Sequence, residues 1–479
     1  MKQQKVKEKK EQTPEAKMQR RVLTVLFFGV LMGALDIAIV GPALSAIGES
    51  FNVDERGLAW VFTMYVLFSL ICSLIMGKLS DRYGRRNIFL MNIAIFGVGS
   101  LVVALSPNLA VMLVGRALQG GAAGGIFPVA SAIIGDIFPA ERRGRALGLI
   151  GAVFGIAFII GPIIGGVLLL AGWHWLFLIN IPISAIVFWY GLKTLPVLST
   201  GVKSGRFDIS GTIFLAIWIT GLTVGVSQID AKDLIGSLGT PSVWIFLLVA
   251  LVGLPFFFFA ERRALDPVMP PQLTASRQLI LAGILGAGIG LGEVATVFLP
   301  PLAVKAFGVT ESVASFLMLP LVMAMAFASP LTGRMLDKFG SKAVLVVGNL
   351  IATVGFALLI VAGQTMWGYI LANIIIGLGM GAVLGSPLRY IMLAEAPLKF
   401  RASAQGLITV YTGIGQMLGS ALVGAVASSH GGVDGYMLAF LSVGVLSAVM
   451  VVIALGLKGR HIEHGTTEKV SEESELVRS

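Results

Sequence analysis

Three ionisable side chains lie inside long apolar stretches of this chain: Asp36, Arg116 and Glu293. A charge in hydrocarbon is costly, so such residues are rare and commonly mark an ion or proton site. A carboxylic acid in apolar surroundings can bind and release protons near neutral pH, whereas an arginine stays charged and drives a neighbouring acid to ionise. The three residues therefore predict proton or cation binding within a membrane.

The depth of these residues is similar. Each lies about seven or eight residues from the outer end of its predicted helix, which is roughly 10–12 Å at about 1.5 Å per residue. Equal depth allows one shared cavity. We interpret Asp36 as a proton site, Glu293 as a second proton or cation site, and Arg116 as the residue that tunes the first acid. The alternatives are a purely structural pair of Asp36 with Arg116, and a partly hydrated Glu293 near the outer mouth.

The composition requires lipid as the main solvent of the chain. Of its 479 residues, 56% are hydrophobic and 13% are charged, against about 25% charged in an ordinary soluble domain. A soluble fold could not hide this much apolar surface from water. The net charge of +10 does not indicate nucleic acid, because the basic residues lie in loops on one side of the membrane. One cysteine, Cys72, excludes an intrachain disulfide, and no metal-ligand spacing is present.

Fourteen segments are long and apolar enough to span a bilayer, which needs about 20 residues per helix. They are grouped as six, two and six. The predicted segments are 22–44, 57–79, 87–105, 109–136, 144–171, 173–195, 209–228, 242–260, 278–301, 309–332, 342–362, 366–392, 401–428 and 434–457.

These segments divide the chain into five parts. We predict a cytosolic disordered extension (1–21), a six-helix bundle (22–195), a linker with two additional helices (196–277), a second six-helix bundle (278–457) and a cytosolic tail (458–479). Loops on the side of the amino terminus carry most of the Lys and Arg residues, so both termini are predicted to be cytoplasmic. The expected location is the plasma membrane, with many passes.

A ten-residue motif occurs twice. The first copy runs from Gly77 to Arg86 and the second from Gly333 to Lys342, 256 positions later. Each copy forms a short charged loop between two apolar segments. Parallel repeats of this kind are typical of transporters built from two bundles that are related about an axis along the membrane normal.

Three motifs carry a family resemblance. The loop Gly77 to Arg86 fits the pattern G-x-L-x-D-R-x-G-R-R, the stretch Arg116 to Gly120 fits R-x-x-Q-G, and a third stretch fits the exporter-associated G-P-x-x-G-G. The chain resembles the major facilitator superfamily over nearly its whole length, and more narrowly the 14-helix drug:proton antiporters. The fixed residues of the exporter motif are Gly161, Pro162, Gly165 and Gly166.

The resemblance implies an all-α polytopic membrane protein with the major facilitator fold: two six-helix bundles plus two extra central helices. It implies proton-coupled export of lipophilic cationic drugs by alternating access, with the proton gradient as the energy source, no cofactor and a monomeric state. By the same resemblance, the charged loops latch the two halves together on the cytoplasmic side. The latch candidates are Gly77, Asp81, Arg82, Gly84, Arg85, Asp136 and Asp337.

The substrate cavity is expected to be apolar and aromatic, which suits a lipophilic cation. The candidates are Met64, Tyr65, Phe127, Phe154, Phe158, Tyr411 and Gln416. Residues of these types also pack membrane helices together, and that alternative stays open for each of them. Glycines spaced by four positions, at 120/124, 377/381 and 415/419, are predicted to pack helices rather than contact substrate.

Other functions are disfavoured by what the sequence lacks. No phosphate-binding motif G-x-x-x-x-G-K-[ST] occurs, so an ATP-driven pump is not predicted. No soluble segment is long enough to house an enzyme. The open alternative is an exporter of a lipid or an endogenous metabolite on the same fold. A nutrient importer is disfavoured by the Gly161-Pro162 motif.

Overall fold

Every regular element in the described part of the chain is a helix in the computed structural model. The structure describes residues 14–53, 55–197, 208–229, 233–264, 267, 269–270, 272–309, 311–384, 386–430 and 432–460. The helices of the first half are α1 (Pro14–Phe51), α2 (Glu55–Tyr83), α3 (Arg85–Ala104), α4 (Leu109–Ile137), α5 (Ala140–Leu169), α6 (His174–Leu178) and α7 (Asn180–Thr194).

The middle of the chain and the second half follow. The middle contains α8 (Ile209–Ser227), α9 (Leu234–Gly239), α10 (Pro241–Arg263) and α11 (Gln272–Ala275). The second half contains α12 (Arg277–Ala295), α13 (Leu299–Phe307), α14 (Glu311–Phe316), α15 (Leu319–Ala362), α16 (Met366–Val383), α17 (Ser386–Glu395), α18 (Arg401–His430) and α19 (Gly432–Leu455).

The helices have the length and apolar character of membrane spans. Within the described residues, 11 helical stretches are long and apolar enough to cross a bilayer, and Ser210–Val226 is a shorter apolar helix. The 44-residue α15 covers two predicted segments, because it turns at Gly340. The chain is therefore an all-helical membrane protein, as predicted, and the count of fourteen crossings stays a prediction.

The first helix differs from the predicted boundary. It begins at Pro14, so residues 14–21, predicted to be disordered, are helical. Two hydrogen bonds of the Gln19 side chain stabilise these polar first turns of α1. The Gln19 amide donates to the Glu15 carboxylate in the same helix and to the backbone oxygen of Ile137 at the end of α4. Residues 1–13 and 461–479 of the predicted extension and tail lie outside the described residues.

The predicted segment 366–392 is divided into α16 and α17. The chain leaves the helix at Leu384, whose ψ is 135°, and resumes at Ser386. Proline at position 387 favours the break, because it has no N–H to donate to the carbonyl four residues earlier and therefore cannot continue α16. This break sets the direction of α17, which carries Arg389.

The two copies of the ten-residue motif adopt the same turn. Gly84 has a φ of 95° and Gly340 has a φ of 81°. These positive values are strained for any residue with a Cβ atom, so glycine is required at the same place in each copy. The backbone thus repeats in the two halves as the sequence does.

We expect Gly84→Ala and Gly340→Ala each to destabilise the protein by about 1–3 kcal/mol, which is the cost of holding a side chain in this backbone region. Thermal unfolding of purified protein in detergent measures the loss. Gly239→Ala is the control, because Gly239 has open space around it and no positive φ. Equal melting temperatures for all three variants would contradict the prediction.

Helix packing also repeats between the halves. In the first half, Gly120 and Gly124 of α4 lie against the backbone of Tyr65 and Ser69 in α2. In the second half, two glycines of α16, displaced by 257 positions from the first pair, lie against two backbone positions of α15 that are displaced by 256 from Tyr65 and Ser69. The second set is Gly377 and Gly381 against Leu321 and Met325. The predicted packing role of these glycines is confirmed.

The two halves meet along two seams. The helix α2 packs against α18, and α5 packs against the first part of α15. Small residues let the backbones approach closely: Gly77 lies against Ala402 in the first seam, and Gly148 lies against Gly333 in the second. The additional helices α8 and α10 pack against each other, and α8 also contacts α2 and α18. They therefore lie beside the first seam.

Candidate functional site

The first predicted acid forms a buried ion pair. The Arg116 guanidinium donates from Nη1 to the Asp36 carboxylate at 2.6 Å, which joins α4 to α1. Its Nε also donates to the backbone oxygen of Val61 in α2, at 3.1 Å. Asp36 and Arg116 are both 0% exposed, so neither charge is solvated and each depends on the other.

Two amides complete the coordination of the Asp36 carboxylate. The Gln119 side chain donates to Oδ1 at 3.0 Å, and the Asn180 side chain of α7 donates to the same oxygen at 3.1 Å. Gln119 in turn donates to the Ser100 hydroxyl of α3 at 2.8 Å and accepts from Arg116 at 2.9 Å. Three helices of the first half, α1, α4 and α7, therefore meet at one carboxylate, and Ser100 connects α3 to them through Gln119.

Tyr65 covers this cluster on one side. Its ring centroid lies 4.4 Å from the Arg116 guanidinium carbon, and its hydroxyl lies 3.5 Å from the Gly33 carbonyl oxygen. A cation over an aromatic face is stabilised further when water is excluded. Tyr65 was predicted to line the substrate cavity, and the structure places it 4% exposed against Arg116.

The second predicted acid lies in the other half and is more open. Glu293, near the end of α12, is half-buried. The amide of Gln416 in α18 donates to its carboxylate at 3.0 Å. Within the described residues Glu293 has no cationic partner. Tyr411 lies on the same helix as Gln416, and its ring packs against Gly283 of α12.

The structure therefore separates the three intramembrane residues. Asp36 and Arg116 form one network inside the first half. Glu293 forms a different hydrogen bond inside the second half, with a neutral partner. A proton bound at Asp36 must compete with an ion pair, whereas a proton bound at Glu293 breaks none.

An aromatic pair and a further arginine lie between the halves. The rings of Phe127 in α4 and Phe154 in α5 are 5.2 Å apart. The guanidinium carbon of Arg389, in α17 of the second half, lies 3.6 Å from the Phe127 ring centroid. Phe127 and Phe154, predicted cavity residues, are thus adjacent, and they meet a charge that the sequence analysis did not single out.

The basic-loop face is the end of the molecule formed by the two ten-residue motifs, and Asp81 joins the halves there. Its carboxylate accepts from the backbone N–H groups of Ala402 at 3.1 Å and Ser403 at 2.9 Å, and from the Ser403 hydroxyl at 2.7 Å. These donors belong to the first turn of α18, where N–H groups have no partner within the helix and an anion is favoured. Asp81 therefore caps a helix of the other half.

The second copy of the motif makes the reciprocal contact. The Asp337 carboxylate accepts from the backbone N–H groups of Gly144 at 2.8 Å and Arg145 at 2.9 Å, in the second turn of α5. The aspartate of each motif thus binds backbone N–H groups of a helix in the other half, and Asp81 alone of the two binds a first turn.

An ion network reinforces the first of these contacts. Arg85 donates to Asp81 at 2.8 Å, forms an ion pair with Asp136 at the end of α4, and donates to the backbone oxygen of Leu398 at 3.0 Å. Arg401 reaches Asp136 from the second half at 3.2 Å. Alternating charges from both halves are thereby buried together at the basic-loop face.

The remaining predicted residues lie near these sites or apart from them. Met64 is half-buried on α2, and Arg82 lies over the ring of its neighbour Tyr83. In the exporter motif, Gly161 lies against Ala38 of α1 and Gly165 makes ordinary contact with α1, whereas Gly166 has open space around it. The side chains of Phe158 and Pro162 lie outside the described residues.

Sequence reasoning missed several partners. Gln119 follows Arg116 by three positions, which places both on one face of a helix, and this spacing was the available signal. Asn180 was recognisable only as a polar residue at membrane depth, which does not identify Asp36 as its partner. Arg389 lies near the end of a predicted segment, where an arginine is ordinarily a flanking residue that reaches the membrane surface.

Comparison with known proteins agrees with the fold. The family model described as Major Facilitator Superfamily matches residues 26–303 and 280–478. The chain is 31% identical to the riboflavin transporter RibZ of Clostridioides difficile over 78% of this chain and 81% of that protein. It is 28% identical to the multidrug transporter protein MdtP of Bacillus subtilis over 87% of this chain and 77% of that protein.

A solved structure is also similar. The human organic anion transporter MFSD10 aligns with a TM-score of 0.65 and 18% identity, over 92% of this chain and all of that chain. This likeness supports the fold. The family match across both halves shows that the chain belongs to the Major Facilitator Superfamily.

Proposed function

We propose that this transporter exports lipophilic, cationic compounds in exchange for protons, by alternating access. The observation that carries the proposal is the half-buried Glu293 carboxylate, held by the neutral Gln416 amide within a membrane helix. It can take up a proton or a cation without losing an ion pair. The similarity to multidrug transporters such as MdtP supports drugs as the substrate class.

Asp36 has a second role in this proposal. The carboxylate is bound by Arg116, Gln119 and Asn180 at once. Protonation would release the arginine and loosen α1 from α4, because a neutral acid no longer holds the guanidinium. Asp36 therefore couples proton binding to movement of helices in the first half, while Glu293 exchanges protons in the second half.

In this proposal, the contacts at the basic-loop face form the gate that alternating access requires. Asp81 and Asp337 each accept hydrogen bonds from the backbone of a helix in the opposite half, so the halves are joined at this face in the structure. With the predicted orientation, this arrangement closes the cytoplasmic side. Opening that side requires both of these contacts to break, and substrate would enter or leave only then.

Glu293→Gln tests the proton coupling. Glutamine keeps the size of the side chain and a hydrogen bond to Gln416, but it cannot carry a proton. In proteoliposomes, an imposed pH gradient should drive ethidium transport by the wild type, and this driven transport should fall at least about tenfold in the variant. Exchange of ethidium for ethidium without a gradient should persist in both.

The comparison of driven transport with exchange decides the outcome. If the variant retains both, Glu293 is not the coupling residue. If the wild type exchanges ethidium but ignores the pH gradient, the protein is not a proton antiporter. The matched control is Glu141→Gln, at an exposed position on the basic-loop face, and it should leave both assays unchanged.

A second candidate function is transport of an endogenous metabolite. The similarity to the riboflavin transporter RibZ favours it, with 31% identity over most of both chains. Adding riboflavin to the same exchange assay separates the candidates. Riboflavin exchange without ethidium exchange would replace the drug-export proposal with this one.

A further inference from the structure

One buried arginine differs from the others in its partners. The buried arginines of the described residues are Arg85, Arg116, Arg389 and Arg401. Three of them pair with a carboxylate of the protein: Arg85 and Arg401 with Asp136, and Arg116 with Asp36. Within the described residues, Arg389 pairs with none.

Neutral groups surround the Arg389 guanidinium. It donates to the Gln405 side-chain oxygen at 3.3 Å and to the Thr409 hydroxyl at 3.2 Å, and the Phe127 ring lies 3.6 Å away. N–H···O hydrogen bonds are ordinarily about 2.7–3.2 Å long, so these two contacts lie at or beyond the long end of that range. An arginine cannot lose its proton to escape the cost of burial. Its charge is therefore only partly compensated.

The position of Arg389 suits a ligand rather than a structural ion pair. It is 7% exposed, and it lies between the halves, because Phe127 belongs to α4 while its own helix is α17. Two of its neighbours, Phe127 and Thr409, are half-buried. One turn later, Leu393 packs against Gly135 of α4 and closes the basic-loop side. The guanidinium thus lies just above the closed face.

We propose that Arg389 binds the carboxylate of a transported lipophilic molecule whose ring stacks with Phe127 and Phe154. A guanidinium presents paired N–H groups that match the two oxygens of a carboxylate, and the adjacent aromatic pair offers a flat apolar surface. This inference rests on the proposed transport function and adds a substrate class to it: aromatic carboxylates, including zwitterions that also carry a cation. The substrate carboxylate supplies the negative charge that no described side chain provides beside the Arg389 guanidinium.

Two dyes form a matched pair for the test. Rhodamine 110 has a free carboxylate, and rhodamine 123 is its methyl ester, so they differ only at the group that Arg389 would recognise. Binding to purified protein in lipid nanodiscs is measured by fluorescence anisotropy for the wild type, Arg389→Gln and Arg389→Lys. The exposed Arg142 provides the control Arg142→Gln.

We expect Arg389→Gln to weaken rhodamine 110 binding by about tenfold or more, since a hydrogen-bonded charge pair is lost. Rhodamine 123 binding should change less than about twofold. Arg389→Lys keeps the charge without the paired geometry and should fall between the wild type and Arg389→Gln. Arg142→Gln should alter neither dye.

Several results would overturn the inference. These are a wild type that does not bind rhodamine 110, equal weakening of both dyes in the variants, and no change in either. If Arg389→Gln fails to fold by thermal melting, the ratio of the two dyes in Arg389→Lys decides. Gradient-driven export of rhodamine 123 tests the proposed function separately. If this export occurs but Arg389→Gln does not weaken rhodamine 110 binding selectively, only this inference is refuted. If Arg389→Gln weakens rhodamine 110 binding selectively but no gradient-driven export occurs, only the proton-coupled export is refuted.

Discussion

Asp36→Asn is expected to abolish proton-driven export and to destabilise the protein by about 3–5 kcal/mol. The large stability loss follows because Arg116 would remain buried with no anion beside it, and breaking a buried pair from one side is costly. Both residues are 0% exposed, so bulk solvent does not reach the guanidinium that would lose its anion. Thermal unfolding and gradient-driven ethidium transport measure the two effects.

The double variant Asp36→Asn/Arg116→Gln separates stability from function. It removes both charges, so most of the lost stability should return, because paired removal avoids the uncompensated ion. Export should stay absent if protonation of Asp36 is part of the cycle. Normal export by the double variant would show that the pair is structural only, which is the alternative left open by the sequence. A single variant as stable as the wild type would contradict the buried geometry.

The second large effect is expected at the basic-loop face. Asp81→Ala removes the bonds to Ala402 and Ser403 and the ion pair with Arg85. Each lost charge-assisted bond is worth about 1.5–3 kcal/mol, so the closed arrangement should lose at least about tenfold in population. The transport rate should fall, because the proposed cycle depends on that closed state. Substrate affinity should change less, since Asp81 lies away from the intramembrane acids Asp36 and Glu293 and from the aromatic pair Phe127 and Phe154.

Distances between spin labels measure the change of population. Labels at the exposed Tyr83 and Lys399, in a Cys72→Ser background, should report a longer distance in Asp81→Ala than in the wild type. Asp337→Ala is the matched comparison: within the described part of the chain it removes two backbone contacts and no ion pair, so its effect should be smaller. A loss of affinity without any change in distance would count against a latch.

The sequence predicted the membrane-spanning architecture because its signals are local. Apolar length identifies a span, since each helix satisfies its own backbone hydrogen bonds in lipid. The repeated motif predicted the duplication, and both copies indeed turn at a positive-φ glycine, Gly84 and Gly340. The start of the first helix was wrong, because its polar turns at Glu15 and Gln19 are held by contact with α4.

The intramembrane acids were also visible in the sequence, but their partners were not. A carboxylate in an apolar segment is recognisable by itself, whereas the residues that bind it lie on other helices. Hydropathy does not show which face of each of those helices is turned toward the carboxylate. Asn180 reaches Asp36 across 144 positions, and Gln416 reaches Glu293 across 123 positions.

The amino-acid sequence by itself therefore determined that this protein is a duplicated, polytopic transporter with one acid in the first helix of each half. Tertiary structure alone decided that Asp36 is buried in an ion pair, that Glu293 is half-buried beside a neutral amide, and that Arg389 lies between the halves with no acidic partner among the described residues. The physical reason is that burial in lipid is a property of a segment, whereas charge compensation depends on which helix faces pack together.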